Sequence, residues 1–297
     1  MSVLAVYDVP APAKLNLFLH VVGRRADGYH LLQSPFMLID WADTLHFERR
    51  PDGQLQRHDL GPALPAEDLC LRAARALQSA SGVAWGADIH IHKNLPWGAG
   101  LGGGSSDAAS TLLALNRLWG LNWPRTRLAE LGLRLGADVP FFIGGSNALV
   151  EGIGERLTPI DLPVARYVVV KPAAALETAS IFRHPGLVRD TATVILFGSL
   201  DEAQSSSGGN GWLPGHGSFG RNDLQGPAQD CCPEVAEAAT WLEARFGNSR
   251  MTGSGSAVFS RVDTANTALH GWGDLPEQWV GRMCSSLVHH PLRDWVD

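Results

Sequence analysis

Leu95-Pro96-Trp97-Gly98-Ala99-Gly100-Leu101-Gly102-Gly103-Gly104-Ser105-Ser106-Asp107 joins a stretch of alternating apolar residues to a stretch of helical period. Glycine lets a backbone adopt positive φ and approach a ligand closely. Successive backbone N–H groups ahead of a helix N-terminus attract anions, above all phosphate. Ordering so many glycines costs conformational entropy, which a plain connecting loop does not recover. The stretch therefore reads as a phosphate cradle between a strand and a helix.

Two familiar phosphate loops do not fit. A P-loop needs Lys and then Ser or Thr after its last glycine, and Ser105 follows Gly104 directly. The dinucleotide fingerprint G-x-G-x-x-G is matched in form by Gly98, Gly100 and Gly103. It also needs an acidic residue about 20 positions on, at a strand end. That distance falls at Asn122-Trp123-Pro124, and the next acid, Glu130, sits in a helical pattern. A dehydrogenase is disfavoured.

Working outward, residues 88–92 alternate Ile89 and Ile91 with His90 and His92, the period of a strand entering the loop. Residues 105–118 read as a helix, with Ala109, Leu112, Leu113 and Asn116 at helical spacing and a Ser- and Asp-rich start that suits capping and the dipole. Residues 14–21 alternate Leu15, Leu17, Leu19 and Val21 with Lys14, Asn16, Phe18 and His20, which predicts one half-buried strand. A turn at 23–28 and an extended stretch at 36–39 follow. Helices are expected over 69–77 and 127–135, the second stopped by Gly136. A hairpin over 147–157 and a strand over 167–170 come next, then a compositionally loop-like, mobile segment at 205–220. A helix over 233–246, a second glycine loop (Thr252-Gly253-Ser254-Gly255-Ser256) and a strand over 257–260 close the reading. Strands and helices in both halves predict an α+β fold of two domains, 1–161 and 162–297.

The 297 residues carry a net charge of −6, with 45% hydrophobic and 18% charged residues, enough to fill a core. The acidic balance and lack of a basic run argue against a nucleic-acid partner. No apolar run approaches the roughly 18 residues of a membrane span, and the N-terminus lacks a signal-peptide pattern. Cys70, Cys231, Cys232 and Cys284 form no C-x-x-C and no metal spacing, so no protein-held metal site is expected. Free thiols in a reducing cytoplasm are the reading.

Four segments occur in a fixed order: Ala13-Lys14-Leu15-Asn16-Leu17, Asp27-Gly28-Tyr29-His30, the run from Gly100 to Ser106, and Gly136-Ala137-Asp138-Val139-Pro140-Phe141-Phe142. Together they resemble the GHMP kinases over nearly the whole chain. The resemblance implies a two-domain α+β kinase fold, with nucleotide and acceptor bound in the cleft between domains. It implies ATP as co-substrate with Mg²⁺, and a small-molecule acceptor bearing a cytidyl diphosphate.

It also implies residue roles. Asp138 reads by type alone as either the cap of a short helix through Phe141-Phe142 or a catalytic carboxylate; the resemblance makes it the residue that receives or orients the acceptor proton. Lys14 reads by type alone as a solvated lysine, and the resemblance pairs it with Asp138, where an ammonium would hold the carboxylate ionised. Lys93, Pro96, Gly98, Gly100, Gly102, Gly103, Gly104, Ser105 and Ser106 are assigned to the nucleotide, the two serines toward phosphate oxygens or Mg²⁺. Asn16, Tyr29, His30, Thr178 and Phe182 are assigned to the acceptor, with His30 and Phe182 toward the cytosine. Gly253 and Gly255 resemble the family's third motif beside the phosphates. The family often has Asn where Asp68 stands, near the adenine pocket.

Overall fold

The computed structural model describes residues 3–196, 211–212, 220–262 and 274–297. The expected loop at 205–220 lies almost wholly outside the described residues. The spine of the first body is one long strand, β3 (His30–Arg50). β1 (Ala5–Asn16) pairs antiparallel along it, and β2 (His20–Arg24) pairs with its start. β5 (Gly86–His92) and β6 (Ala148–Gly152) pair antiparallel with its two ends. β4 (Leu55–Asp59) runs parallel to β5, and β7 (Arg156–Pro159) closes the hairpin with β6.

One face of this sheet carries α1 (Leu69–Ser81), α2 (Gly103–Leu118), α3 (Arg125–Leu133) and α4 (Val139–Gly144). Phe36 and Leu38 point into that helical core, while Met37, Ile39 and Trp41 point the opposite way. They meet the second sheet there: β8 (Arg166–Lys171), β9 (Arg250–Met251), β10 (Val258–Val262) and β11 (Val280–Ser285), all antiparallel. Tyr167 and Val169 face the first sheet, and Val168 and Val170 face α6 (Gln225–Cys231) and α7 (Pro233–Phe246). The alternation of strand side chains thus serves two cores at once, giving four layers: helices, sheet, sheet, helices. The fold is α+β.

This layering corrects the expectation of a half-buried strand over 14–21. Every residue from Val9 to Val21 except Pro10 is buried, because both faces of the segment are covered. The strand is also interrupted. β1 ends at Asn16 and β2 begins at His20, since Leu17 N donates to Pro35 O and Leu19 bridges to Asn222 across the two bodies. Single-strand period cannot reveal a second covering layer.

The helix after the glycine loop begins two residues earlier than expected. Gly102 occupies its N-cap position at φ 73° with no side-chain cap, so Ser105 and Asp107 lie inside the helix. α2 is buried nearly all round, and its hydroxyls dock on β1: Ser106 Oγ donates to Pro12 O and Ser110 Oγ to Pro10 O. The serines tie the helix to the strand. α3 is displaced two residues toward the N-terminus of its expected span. The hairpin and the helix over 233–246 stand where the periodicity puts them. The C-terminal residues return to the first body: Leu287 N donates to Leu38 O, and Arg125 donates through its side chain to Arg293 O and Val296 O.

Candidate active site

β1 presents Lys14 and Asn16 two residues apart, hence on one face. Lys14 Nζ donates to Asn16 Oδ1 at 2.5 Å and lies 3.7 Å from Asp138 Oδ2 and 4.5 Å from the centre of the Phe36 ring. Lys14 is buried, so the solvated alternative is excluded. Burial lowers its pKa, and Asp138 opposes that shift. Asn16 is itself fixed: its backbone N–H donates to Thr252 Oγ1 at 3.0 Å and its Nδ2 to Ser34 Oγ at 2.8 Å.

Asp138 stands at the N-cap position of α4, but its side chain makes no capping hydrogen bond. The carboxylate is therefore not used by the helix it precedes. Its side chain is 30% exposed, on a cleft of about 290 Å³ shared with Lys14, Asn16, Phe36, Thr178 and Phe182.

A larger cleft of about 410 Å³ lies on the other side of the glycine loop. Lys93, Pro96, Gly103, Gly104 and Ser105 line it, together with Asp68 and Asp107. Gly98, Gly100 and Gly102 line both clefts. The loop is the wall they share. Gly100, at φ 72°, has no room for a side chain, since a Cβ would collide with the Thr252 carbonyl. The second glycine loop is hydrogen-bonded to the first: Ser256 N donates to Gly98 O and Ala257 N to Ala99 O, both at 3.1 Å.

Three site residues stand differently from the sequence reading. Ser106 is fully buried and lines neither cleft, with its hydroxyl donated to Pro12 O. Ser105, on the next helical position, remains partly open on the larger cleft. Lys93 lines the larger cleft, but its ammonium is not free: it is held between Asp43 and Asp107, the latter at 2.5 Å. Burial works against that ammonium, yet the two carboxylates keep its pKa above the usual lysine value. Tyr29 is 62% exposed and lines neither cleft. Its neighbour His30 sits with its ring 5.0 Å from that of Phe182. Asp68 caps α1, accepting from Leu71 N at 3.0 Å, and pairs with Arg57 at 3.1 Å.

Sequence reasoning missed Asp43. It is fully buried and accepts from Lys93, from Asn94 N at 2.6 Å and from Leu95 N at 2.8 Å, fixing the entry to the glycine loop. It lies 52 residues before Leu95, with no local pattern to mark it. Asp107 was readable only as a helix-start acid. Burial pushes its carboxyl up to about 8, Lys93 opposing the shift and Asp43 adding to it. Its Oδ1 is buried without a partner in the described structure.

Comparison with known proteins fits this geometry. Residues 68–146 match the GHMP kinases N terminal domain. A 4-diphosphocytidyl-2-C-methyl-D-erythritol kinase of Methylibium petroleiphilum is 61% identical over 299 residues, covering 100% of both chains. The chain belongs to the 4-diphosphocytidyl-2-C-methyl-D-erythritol kinase family, a branch of the GHMP kinases. A member of that family from Polaromonas naphthalenivorans is 55% identical over 98% of this chain and 96% of its own. A crystal structure of 4-(cytidine 5'-diphospho)-2C-methyl-D-erythritol kinase aligns with TM-score 0.72 and 35% identity over 93% of this chain and 98% of that one. A mevalonate kinase of L. major in complex with R-mevalonate, at 14% identity and TM-score 0.66 over 97% of this chain and 98% of its own, shares the fold. As in this family, the protein is a small-molecule kinase. Among the described residues no helix is long and apolar enough to cross a membrane.

Proposed function

We propose that this protein transfers the γ-phosphoryl group of ATP to the 2-hydroxyl of 4-diphosphocytidyl-2-C-methyl-D-erythritol, giving the 2-phosphate and ADP in non-mevalonate isoprenoid precursor synthesis. The observation that carries the reading is the Lys14–Asp138 pair on one side of a glycine wall that has a second cleft on its other side. The larger cleft takes the nucleotide, with its phosphates against the loop and the start of α2. The smaller cleft takes the acceptor, with its hydroxyl at Asp138 and its cytosine toward His30, Thr178 and Phe182.

The acceptor oxygen forms a bond to the γ-phosphorus as the bond to the β,γ-bridging oxygen breaks. The hydroxyl proton passes to Asp138, and ADP leaves. A loose transition state needs positioning and charge stabilisation more than a strong base. Lys14 supplies both: it holds the carboxylate in place and offers positive charge beside the transferring group. Mg²⁺ would neutralise charge on the triphosphate. The Ser105 hydroxyl, an oxygen donor on the nucleotide cleft, suits a hard cation. We read the two bodies as domains 1–161 and 162–297 of a cytoplasmic enzyme, with the reaction between them.

The test is turnover. Purified protein with ATP, Mg²⁺ and the cytidyl substrate should release ADP and the 2-phosphate. Mevalonate and homoserine in the same assay should not be phosphorylated. Turnover of either, with none of the cytidyl substrate, would move the chain to another acceptor class.

A further inference from the structure

Arg189 follows α5 (Thr178–Arg183) and stitches the acceptor side together. Its Nη2 donates to Phe182 O at 3.1 Å and His184 O at 3.0 Å, and its Nη1 to Leu187 O at 2.9 Å. Its Nε donates to Nε2 of His30 at 3.2 Å, reaching from the second body to β3 of the first. A guanidinium has five N–H donors and no acceptor. The nitrogen it meets on His30 must therefore accept, so the ring proton sits on Nδ1. An imidazolium could not accept at all. Burial lowers the His30 pKa, and Arg189 and Arg24, the latter on the paired strand β2, lower it further. His30 is thus a neutral ring in one tautomer, next to a Phe182 that lines the acceptor cleft.

We infer that Arg189 is a positioning residue that fixes His30 as an Nδ1–H donor and so makes the acceptor site selective for cytosine over uracil. This rests on the reading of His30 and Phe182 as base-binding residues. Cytosine N3 is an acceptor, while uracil carries N–H at the same place. A neutral histidine free to exchange tautomers suits either base, because each ring nitrogen can donate or accept. A histidine whose far nitrogen is permanently occupied by a guanidinium donor suits only the acceptor. Against uracil, two donors face each other and one stays unsatisfied, which is how a polar site rejects a near-isostere.

The experiment compares kcat/KM for the cytidyl substrate and its uridyl counterpart at saturating ATP. The wild-type protein should prefer the cytidyl form. Arg189→Met should lower that preference by about tenfold or more, through KM for the cytidyl substrate rather than kcat. Arg189→Lys, which keeps the charge but not the fork, should also lower it. An equal rise in KM for both substrates would mean that Arg189 only braces α5, and would overturn the inference. So would a wild-type enzyme that does not distinguish the bases. Should Arg189→Met fail to fold, ¹⁵N shifts of the wild-type His30 ring decide: protonated Nδ1 with bare Nε2 is expected, and the opposite tautomer overturns the inference. A wild-type protein inactive on the cytidyl substrate would sink the proposed function instead, and leaves the tautomer result standing.

Discussion

Lys14 Nζ and Asp138 Oδ2 lie 3.7 Å apart across 124 positions of sequence, a buried ammonium facing a part-exposed carboxylate. The asymmetry sets their work. Lys14 is fixed by Asn16 and by the Phe36 ring, and cannot leave. Asp138 is open to the cleft and is not held by its own helix. In the proposed reaction the lysine orients, and the carboxylate meets the substrate.

Asp138→Asn should therefore keep ATP binding and lose rate. A positioned proton acceptor is worth about 10²–10⁴ in kcat. Steady-state kinetics together with calorimetric ATP titration checks this. An unchanged kcat would remove Asp138 from the chemistry.

Gly100→Ala should loosen the junction of the two glycine loops. Alanine at φ 72° is strained, and its Cβ would meet the Thr252 carbonyl. Such strain costs about 1–3 kcal/mol. Urea unfolding should show the loss, and KM for ATP should rise. A variant with wild-type stability and KM would mean that the loop is not so tightly set.

Phe182→Ala should weaken the cytidyl substrate and spare ATP. Base–aromatic stacking is worth about 1–3 kcal/mol, or about 5- to 150-fold in KM. Competition binding with CDP and with ATP separates the two clefts. Weakened ATP with unchanged CDP would exchange their assignments.

Asp43→Ala should be among the most damaging single changes in the first body. It leaves Lys93 with one carboxylate and frees Asn94 N and Leu95 N. Breaking a buried pair costs about 3–5 kcal/mol. Asp43→Asn, which still accepts from both amides, should lose less in thermal unfolding. Equal losses would assign the whole effect to charge.

Acid should destabilise the fold through His290. Burial, with a smaller contribution from Arg125, pulls its pKa down to about 4 from the ordinary 6.5. Below pH 6.5 the unfolded chain takes up a proton that the folded one refuses. Stability is therefore present above that pH and is lost as pH falls toward 4. At about 1.36 kcal/mol per unit, the loss approaches roughly 3 kcal/mol. His290→Asn keeps an acceptor for Leu292 N, and should flatten the slope of unfolding free energy between pH 6.5 and 4. An unchanged slope would place the titration elsewhere.

Much of the fold was legible because its signals are local. The glycine run, the alternation of 88–92 and the helix over 233–246 each announce themselves within a few residues, and each stands in the structure. The segment 14–21 misled for an equally physical reason. Alternation reports which residues differ, not whether a second layer covers the polar set, and here Lys14, Asn16 and His20 are covered. Ser106 misled likewise, since a hydroxyl at a helix start looks the same whether it faces a ligand or a proline carbonyl.

The sequence by itself determined a glycine-rich loop leading into a helix start, the ordered motifs that mark the family, and the α+β class. These depend on spacing along the chain, which the sequence states directly. Only the tertiary structure decided that Gly98, Gly100 and Gly102 divide two clefts, that Asp43 and Asp107 share Lys93, and that Arg189 holds His30. Those pairings join residues 14 to 159 positions apart. Their energies come from burial and from hydrogen bonds made at a distance, and no local pattern encodes which distant partner will arrive.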